Sequence, residues 1–323
     1  MKCLTIPQTK LSVSQICLGT GSMGTSAIPR KAAFDLLDEF VALGGNFIDT
    51  AHVYSNWIPG ERSRSEKTIG AWLKKRGIRK QIVLATKGAH PDLATMHISR
   101  LSPADIAHDV DESLEFLQTD SIDLYWLHRD DTAIPVSDIL EPLNEQVAVG
   151  KIRYFGCSNW KVSRIQAAVD YAASKNIQGF VANQPMWSLA APNVDRFADK
   201  TLVAMDSDTL AFHRRTGMAA IPYSSQAQGF FTKLAVSGRA GLSESASRVY
   251  DNDVNVKRLE YAQMLARRYG VNLNDVVLAY LMCQPFTTIP VVGCKTLDHL
   301  RSSLKAADLT LTPEDVQLLE EAT

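Results

Sequence analysis

The feature that most constrains this chain is an alternation. Short apolar runs with strand character recur at 14-20 (SQICLGT), 46-51 (NFIDTA), 81-87 (QIVLATK), 122-128 (IDLYWLH), 154-159 (YFGCSN), 179-184 (GFVANQ), 219-225 (AAIPYSS) and 287-293 (TTIPVVG). Each ends in a polar junction and is followed by a longer segment with helical spacing of its apolar residues. Strands that are apolar throughout, rather than at every second position, are buried on both faces, as in a parallel sheet covered by helices. Eight such units in 323 residues predict closure into a (β/α)8 barrel, which typically takes about 250 residues and leaves roughly 70 for loops and extra helices.

Local signals support the alternation. SPADIAHDVDESLEFL opens with Ser102 as a cap, Pro103 at the first helical position and Asp105 in the first turn. Thr312, Pro313 and Asp315 repeat that start signal in TPEDVQLLEEA near the C-terminus. The opening stretch KCLTIPQTKLSVSQI reads as a β-hairpin able to plug the bottom of the barrel. Residues 186-218 and 230-256 are polar and less periodic, and read as long loops over one mouth. No Pro/Gly/Ser-rich linker divides the chain, so residues 1-323 are expected to form a single barrel domain.

Composition excludes several functions. The 34 basic and 35 acidic side chains nearly cancel, which removes any overall bias toward nucleic acid or an anionic membrane. The N-terminal apolar pattern is broken by Pro7, Gln8, Thr9 and Lys10, unlike a secretory signal, and no apolar run approaches the ~20 residues of a membrane span. Cys3, Cys17, Cys157, Cys283 and Cys294 are odd in number and lack metal-ligand spacing, so reduced, buried thiols, a cytoplasmic location and no metal are expected. The oligomeric state is left open.

After the first strand run comes GTGSMG, Gly19 to Gly24, a literal match to the G-x-G-x-x-G dinucleotide fingerprint. In a doubly wound dehydrogenase the helix begins at these glycines, so that its N-terminus meets the pyrophosphate. Here TSAIP intervenes and Pro29 marks a helix start several residues too late. That fold is retained only as an alternative.

In a barrel of this kind the chemistry sits at the C-terminal ends of the strands. Those positions hold Thr20, Asp49, Lys87, His128, Ser158 with Asn159, Gln184, Tyr223 with Ser224, and Gly293 through Lys295, with Tyr54 in the loop after the second run. Singly, Lys87 reads as a solvated strand terminus, His128 as a structural histidine and Asp49 as a turn residue. Their coincidence at one mouth has a definite use. A tyrosine hydroxyl, with an unperturbed pKa of about 10, donates a proton at neutral pH when a nearby cation stabilises the phenolate. Lys87 supplies the cation, Asp49 neutralises it in a dry pocket, and His128 orients the incoming oxygen. Such a site protonates an oxygen becoming an alkoxide and needs a hydride that no side chain provides.

At this point the sequence resembles the aldo-keto reductase superfamily. The resemblance rests on NFIDTAHVYSN (46-56), VLATKG (83-88), IDLYWLHRDD (122-131), GKIRYFGCSNW (150-160), ANQP (182-185) and PYSSQAQGFF (222-231), in order from about Leu11 to the last helix. It implies an NAD(P)H-dependent carbonyl reductase, or the reverse alcohol oxidation, with Tyr54 as general acid and Asp49, Lys87 and His128 as its partners. It further implies that Ser158, Asn159 and Gln184 hold the nicotinamide carboxamide, that Tyr223 stacks on the ring, and that Ser224, Gln226 and Gly229 follow the pyrophosphate. Gly19, Thr20 and Gly21 are expected beside the cofactor, and Gly293, Cys294, Lys295, Thr296, His299 and Ser303 at its adenosine end. His299 stands where Arg or Gln is common, while Ser302 and Ser303 replace a Glu-Asn pair. A lysine at a helix start suits a 2'-phosphate, so NADPH is favoured and NADH left open. Met23, Trp57, His90 and Trp187 are expected to line a pocket for a small carbonyl or alcohol substrate. A cofactor-binding redox sensor of the same fold is the alternative function.

Overall fold

The computed structural model describes residues 1–321. Ala322 and Thr323, the end of the anticipated last helix and of the anticipated domain, lie outside the described residues. Two short strands, β1 (Cys3–Thr5) and β2 (Ser12–Ser14), pair antiparallel as the expected hairpin. The strands β3 (Cys17–Gly19), β4 (Phe47–Asp49), β5 (Val83–Gly88), β6 (Ile122–Leu127), β7 (Ile152–Ser158), β8 (Ala182–Gln184), β9 (Ala219–Ala220) and β10 (Val291–Val292) follow. All pair in parallel in the order β10-β3-β4-β5-β6-β7-β8-β9. An isolated parallel bridge, Ala220 to Thr288, joins the two ends of the sheet and closes the barrel, with Ile289 N–H donating to Ala220 O at 2.9 Å.

The helices that cover this sheet are α1 (Arg30–Ala42), α2 (Arg64–Arg76), α3 (Pro103–Leu117), α4 (Val136–Ala148), α5 (Val162–Lys175) and α6 (Ser207–Thr216). They continue with α7 (Phe230–Ser237), α8 (Glu244–Tyr250), α9 (Asp253–Tyr269), α10 (Leu273–Met282), α11 (Leu297–Lys305) and α12 (Pro313–Glu320). The cap of α3 forms as its sequence predicts, with Ser102 Oγ accepting from Asp105 N–H at 3.1 Å. Thr312 and Asp315 make a reciprocal capping box on α12, which satisfies N–H groups that have no partner inside the helix.

Two expectations need correction. Residues 186-218 and 230-256 are not plain loops: the first contains α6 and the second contains α7, α8 and the start of α9. These helices are short and lean on tertiary burial of Phe212, Phe230, Phe231, Val249 and Tyr250, and this leaves only a weak helical period in sequence. The thiols are all free, but Cys3 is exposed on the hairpin and Cys283 is half-buried. Among the described residues no helix is long and apolar enough to cross a membrane.

Strand parity explains how the interior is filled. Successive side chains of a strand point to opposite faces. Phe47, Ala85, Leu124 and Trp126 therefore point into the barrel and pack with Ile6, Leu11 and Val13 of the hairpin. Ile48, Leu84, Tyr125 and Leu127 point outward into the layer under the helices. Asp49, Lys87 and His128 share the inward parity, each two residues beyond Phe47, Ala85 and Trp126 of this apolar plug. The hairpin thus seals the N-terminal end, and the polar strand ends converge at the other.

Candidate active site

Register steps the inward residues along the mouth by two positions per strand. Asp49 pairs with Ala85, and Lys87 with Trp126. The Lys87 and Asp49 side chains are 1% and 2% exposed and form an ion pair. Lys87 Nζ also donates to Thr50 O at 2.8 Å and to the Tyr54 hydroxyl at 3.0 Å. Its three protons are therefore all used. Asp49 Oδ1 accepts from Trp126 Nε1 at 3.1 Å and from Gln184 Nε2 at 3.0 Å. A lysine this deep would ordinarily lose its proton. Burial does act to lower its pKa, but Asp49 and Tyr54 outweigh burial and hold it above the ordinary lysine value.

Tyr54 follows from a local turn in which its N–H bonds Ala51 O at 3.0 Å. Burial raises its pKa, with Lys87 acting in the opposite direction, so the phenol holds its proton at neutral pH. Its ring meets Trp57 and His128 edge-on, with centroids 6.3 and 6.0 Å away. His128 is buried, and burial followed by the Arg129 guanidinium pushes its pKa well below the usual value. It is a neutral imidazole at physiological pH. Its Nδ1 is buried with no partner among the described residues.

Tyr54 and His128 open on a cleft of about 770 Å³ whose apolar lining includes Val53, Trp57, Leu93, Met96 and Ala198. Of the anticipated substrate residues, Trp57 and His90 line it. Met23 and Trp187 are not among its lining residues. Met23 is fully enclosed in the main core, and Trp187 packs in a second core against Phe286 and Tyr280. In sequence both were simply apolar residues near strand ends. The opposite wall was not anticipated: Arg129 lines the cleft with Asp199, Lys200 and Thr201. Arg129 is buried and bonds Thr201 Oγ1 at 2.7 Å, Asp199 Oδ2 at 2.9 Å and His128 O at 2.8 Å. The only sequence signal was its place directly after His128.

A second group of strand-end residues surrounds the far side of the mouth. Ser158 Oγ donates to Gln184 O at 2.8 Å, and Asn159 Oδ1 accepts from Tyr223 OH at 2.7 Å and from Val203 N–H at 3.1 Å. Asn159 and Ser224 have left-handed backbones, φ 61° and 54°, conformations that non-glycine residues hold at a cost and that concentrate at functional sites. Gln184 Oε1 is buried and unpartnered among the described residues. Gly229 caps α7 with φ 78°, and Gln226 Nε2 bonds Ser303 Oγ at 3.1 Å and Asn274 Oδ1 at 2.9 Å. Gly293, Lys295, Thr296 and His299 are exposed around the N-terminus of α11, where Thr296 Oγ1 caps His299 N–H at 3.2 Å. Cys294 and Ser303 are buried side chains instead.

The glycine fingerprint is structural. A Cβ on Gly19 would meet Val291 Cγ1 at 2.8 Å, and Gly24 takes φ 81° against α2. Thr20 is buried and spends its hydroxyl on Asp49 O at 2.9 Å. Gly21 alone of the three borders the site: a Cβ there would lie 3.7 Å from the Tyr54 ring. Helix α1 starts only at Arg30 with Pro29 as its cap, and the closed barrel removes the doubly wound alternative.

A parallel barrel holds a buried Lys–Asp pair beneath a tyrosine in its mouth, and comparison with known proteins is specific. The Aldo/keto reductase family model matches residues 15–323. Norsolorinic acid reductase B of Aspergillus parasiticus is 31% identical, over 98% of this chain and 82% of its own. The aryl-alcohol dehydrogenase [NADP(+)] of Phanerodontia chrysosporium is 30% identical over 98% and 84%. The crystallised thermostable aldo-keto reductase Tm1743 superposes with a TM-score of 0.72 over the whole of both chains at 24% identity, a likeness of fold. The chain belongs to the aldo/keto reductase family. It is an NAD(P)H-dependent oxidoreductase acting on carbonyls.

Proposed function

We propose that this chain reduces an aryl aldehyde or ketone, or oxidises the matching alcohol, with NADP(H) as its preferred cofactor and Tyr54 as the proton donor. The observation that carries the reading is the buried Lys87 ammonium bonded at once to Asp49 and to the Tyr54 hydroxyl. When bound, the nicotinamide supplies the hydride. As the substrate oxygen gains negative charge, Tyr54 gives it a proton and becomes a phenolate beside Lys87. Asp49 keeps Lys87 charged in a pocket that would otherwise neutralise it. His128 directs the substrate oxygen toward Tyr54, and the enclosing walls keep water from competing for the proton.

The residues present fit the cofactor. The orphaned Gln184 Oε1 is an acceptor suited to a carboxamide N–H, with Ser158 and Asn159 alongside, and Tyr223 offers a ring face. The exposed Lys295, Thr296 and His299 at the start of α11 suit a phosphate, since helix N-termini attract anions. The [NADP(+)] in the name of the fungal relative supports the same preference. The aryl class is supported by Trp57 and Leu93 in the cleft wall and by the aryl-alcohol relative. The test is NADPH oxidation against a panel of aldehydes and ketones, with Tyr54→Phe beside the wild type. The variant is expected to retain cofactor affinity and lose at least ~100-fold in rate. Near-normal turnover would remove Tyr54 from the proposal.

A further inference from the structure

The cleft contains a hydrogen-bond acceptor that the proton transfer does not use. At the end of β5, Ala89 adopts φ 56°, with its N–H held by Asp109 Oδ2 at 2.8 Å. Asp109 is itself paired with Arg100. This fixed turn sets the His90 ring edge-on to His128, centroids 4.8 Å apart. His90 Nδ1 lies 2.6 Å from Pro91 O. A carbonyl oxygen only accepts, so the proton resides on Nδ1 and Nε2 presents a lone pair. Among the described residues Nε2 has no partner, and it is not one of the buried orphaned atoms; it opens on the cleft that His90 lines.

His128 is in the complementary state. Its Nδ1 is buried and unpartnered, and an orphaned buried N–H is rarer than an orphaned acceptor. The proton therefore resides on Nε2, which opens on the cleft. Both rings stay neutral at physiological pH, His90 because burial, then Arg129, holds it at about 4. The floor thus offers two donors, Tyr54 OH and His128 Nε2, beside one acceptor, His90 Nε2.

We infer that the preferred substrate is an aromatic carbonyl compound bearing a hydroxyl group near the carbonyl, and that His90 selects it by accepting the hydroxyl proton. The inference rests on the reductase reading above. The carbonyl oxygen takes the two donors, while the hydroxyl, a donor, takes the acceptor. A methyl ether at the same place sets oxygen lone pairs against nitrogen and leaves His90 unpaired in a partly dry wall, so it is discriminated against.

The experiment measures kcat/KM for 2-, 3- and 4-hydroxybenzaldehyde against their methoxy counterparts in wild type, His90→Phe and His90→Gln, with NADPH. In wild type the hydroxy/methoxy ratio is expected to reach at least ~10 for one ring position. It should fall to near unity in His90→Phe, whatever happens to the rate, and recover in part in His90→Gln, which restores an acceptor. Ratios near unity at all three positions in wild type, or a ratio unchanged in His90→Phe, overturn the inference. If no aldehyde is turned over, the reductase reading fails separately. Tryptophan-fluorescence titration with the same pairs then decides: a hydroxyl preference lost in His90→Phe upholds the acceptor role, and its absence overturns it. Should His90→Phe not fold, His90→Leu supplies the same comparison.

Discussion

Replacing Lys87 by Met separates the two tasks assigned to its ammonium. The side chain is 1% exposed and bonds Asp49, Thr50 O and Tyr54 OH. Loss of the charge leaves the Asp49 carboxylate buried and unpaired, a change that costs about 3–5 kcal/mol. Donors from Trp126 and Gln184 remain on Asp49 Oδ1, which places the expected loss at about 3 kcal/mol. The effect on rate is independent of this. At 3.0 Å and an effective dielectric of about 20, an ammonium stabilises the phenolate by roughly 5.5 kcal/mol, about 4 pKa units. The neighbouring Asp49 charge opposes part of that, and a transition state realises only a fraction of it. A fall in kcat of ~10²–10⁴ is expected. Urea unfolding and steady-state NADPH oxidation measure the two losses. The double variant Lys87→Met/Asp49→Asn should recover most of the stability and none of the rate. Turnover within about tenfold of wild type in the single variant, or activity returning together with stability in the double variant, would refute the electrostatic role and leave Lys87 a scaffold.

Three further outcomes follow from the same geometry. His90, His128 and His213 all titrate below the ordinary histidine value, so as pH falls the unfolded chain takes up protons first and stability is lost from about pH 6.5 downward. For His90, held at about 4, the loss is on the order of 2 kcal/mol by pH 5; urea unfolding at pH 7 and 5 checks it, and His90→Gln should reduce the difference. Arg129→Met frees the wall bearing Asp199 and Thr201, and is expected to raise KM several-fold more than it lowers kcat; equal effects on both would count against a role in shaping the wall. Lys295→Ala should weaken NADPH more than NADH in fluorescence titration, and equal losses would show that Lys295 does not read the 2'-phosphate.

Much of the fold and the site was legible because it depends on local pattern. Each apolar run ends close to where β4, β5 and β6 end, and the residue at that end is set by counting, so the strand-end positions of Asp49, Lys87 and His128 could be read without a structure. The caps at Ser102 and Thr312 are equally local. The delayed helix start at Pro29 was enough to disqualify the glycine fingerprint. Less was visible in the excursions after β8 and β9, where α6, α7 and α8 carry weak periods and fold against surfaces that the sequence does not display.

What the sequence determined by itself was the alternation, the parity and the polar strand ends, since these follow from periods of two and 3.6 residues and from backbone preferences within a few positions. The tertiary structure alone decided which apolar residues become wall and which become core. Met23 and Trp187 are enclosed by partners distant in sequence, whereas Trp57 is left open to the cleft. It alone brought Arg129 to Asp199, 70 positions away, set His90 Nδ1 against the Pro91 carbonyl and enclosed His128 Nδ1 without a partner among the described residues. Burial and hydrogen-bond partnership are properties of three-dimensional neighbours, and a protonation state is set by those neighbours rather than by the residue's place in the chain.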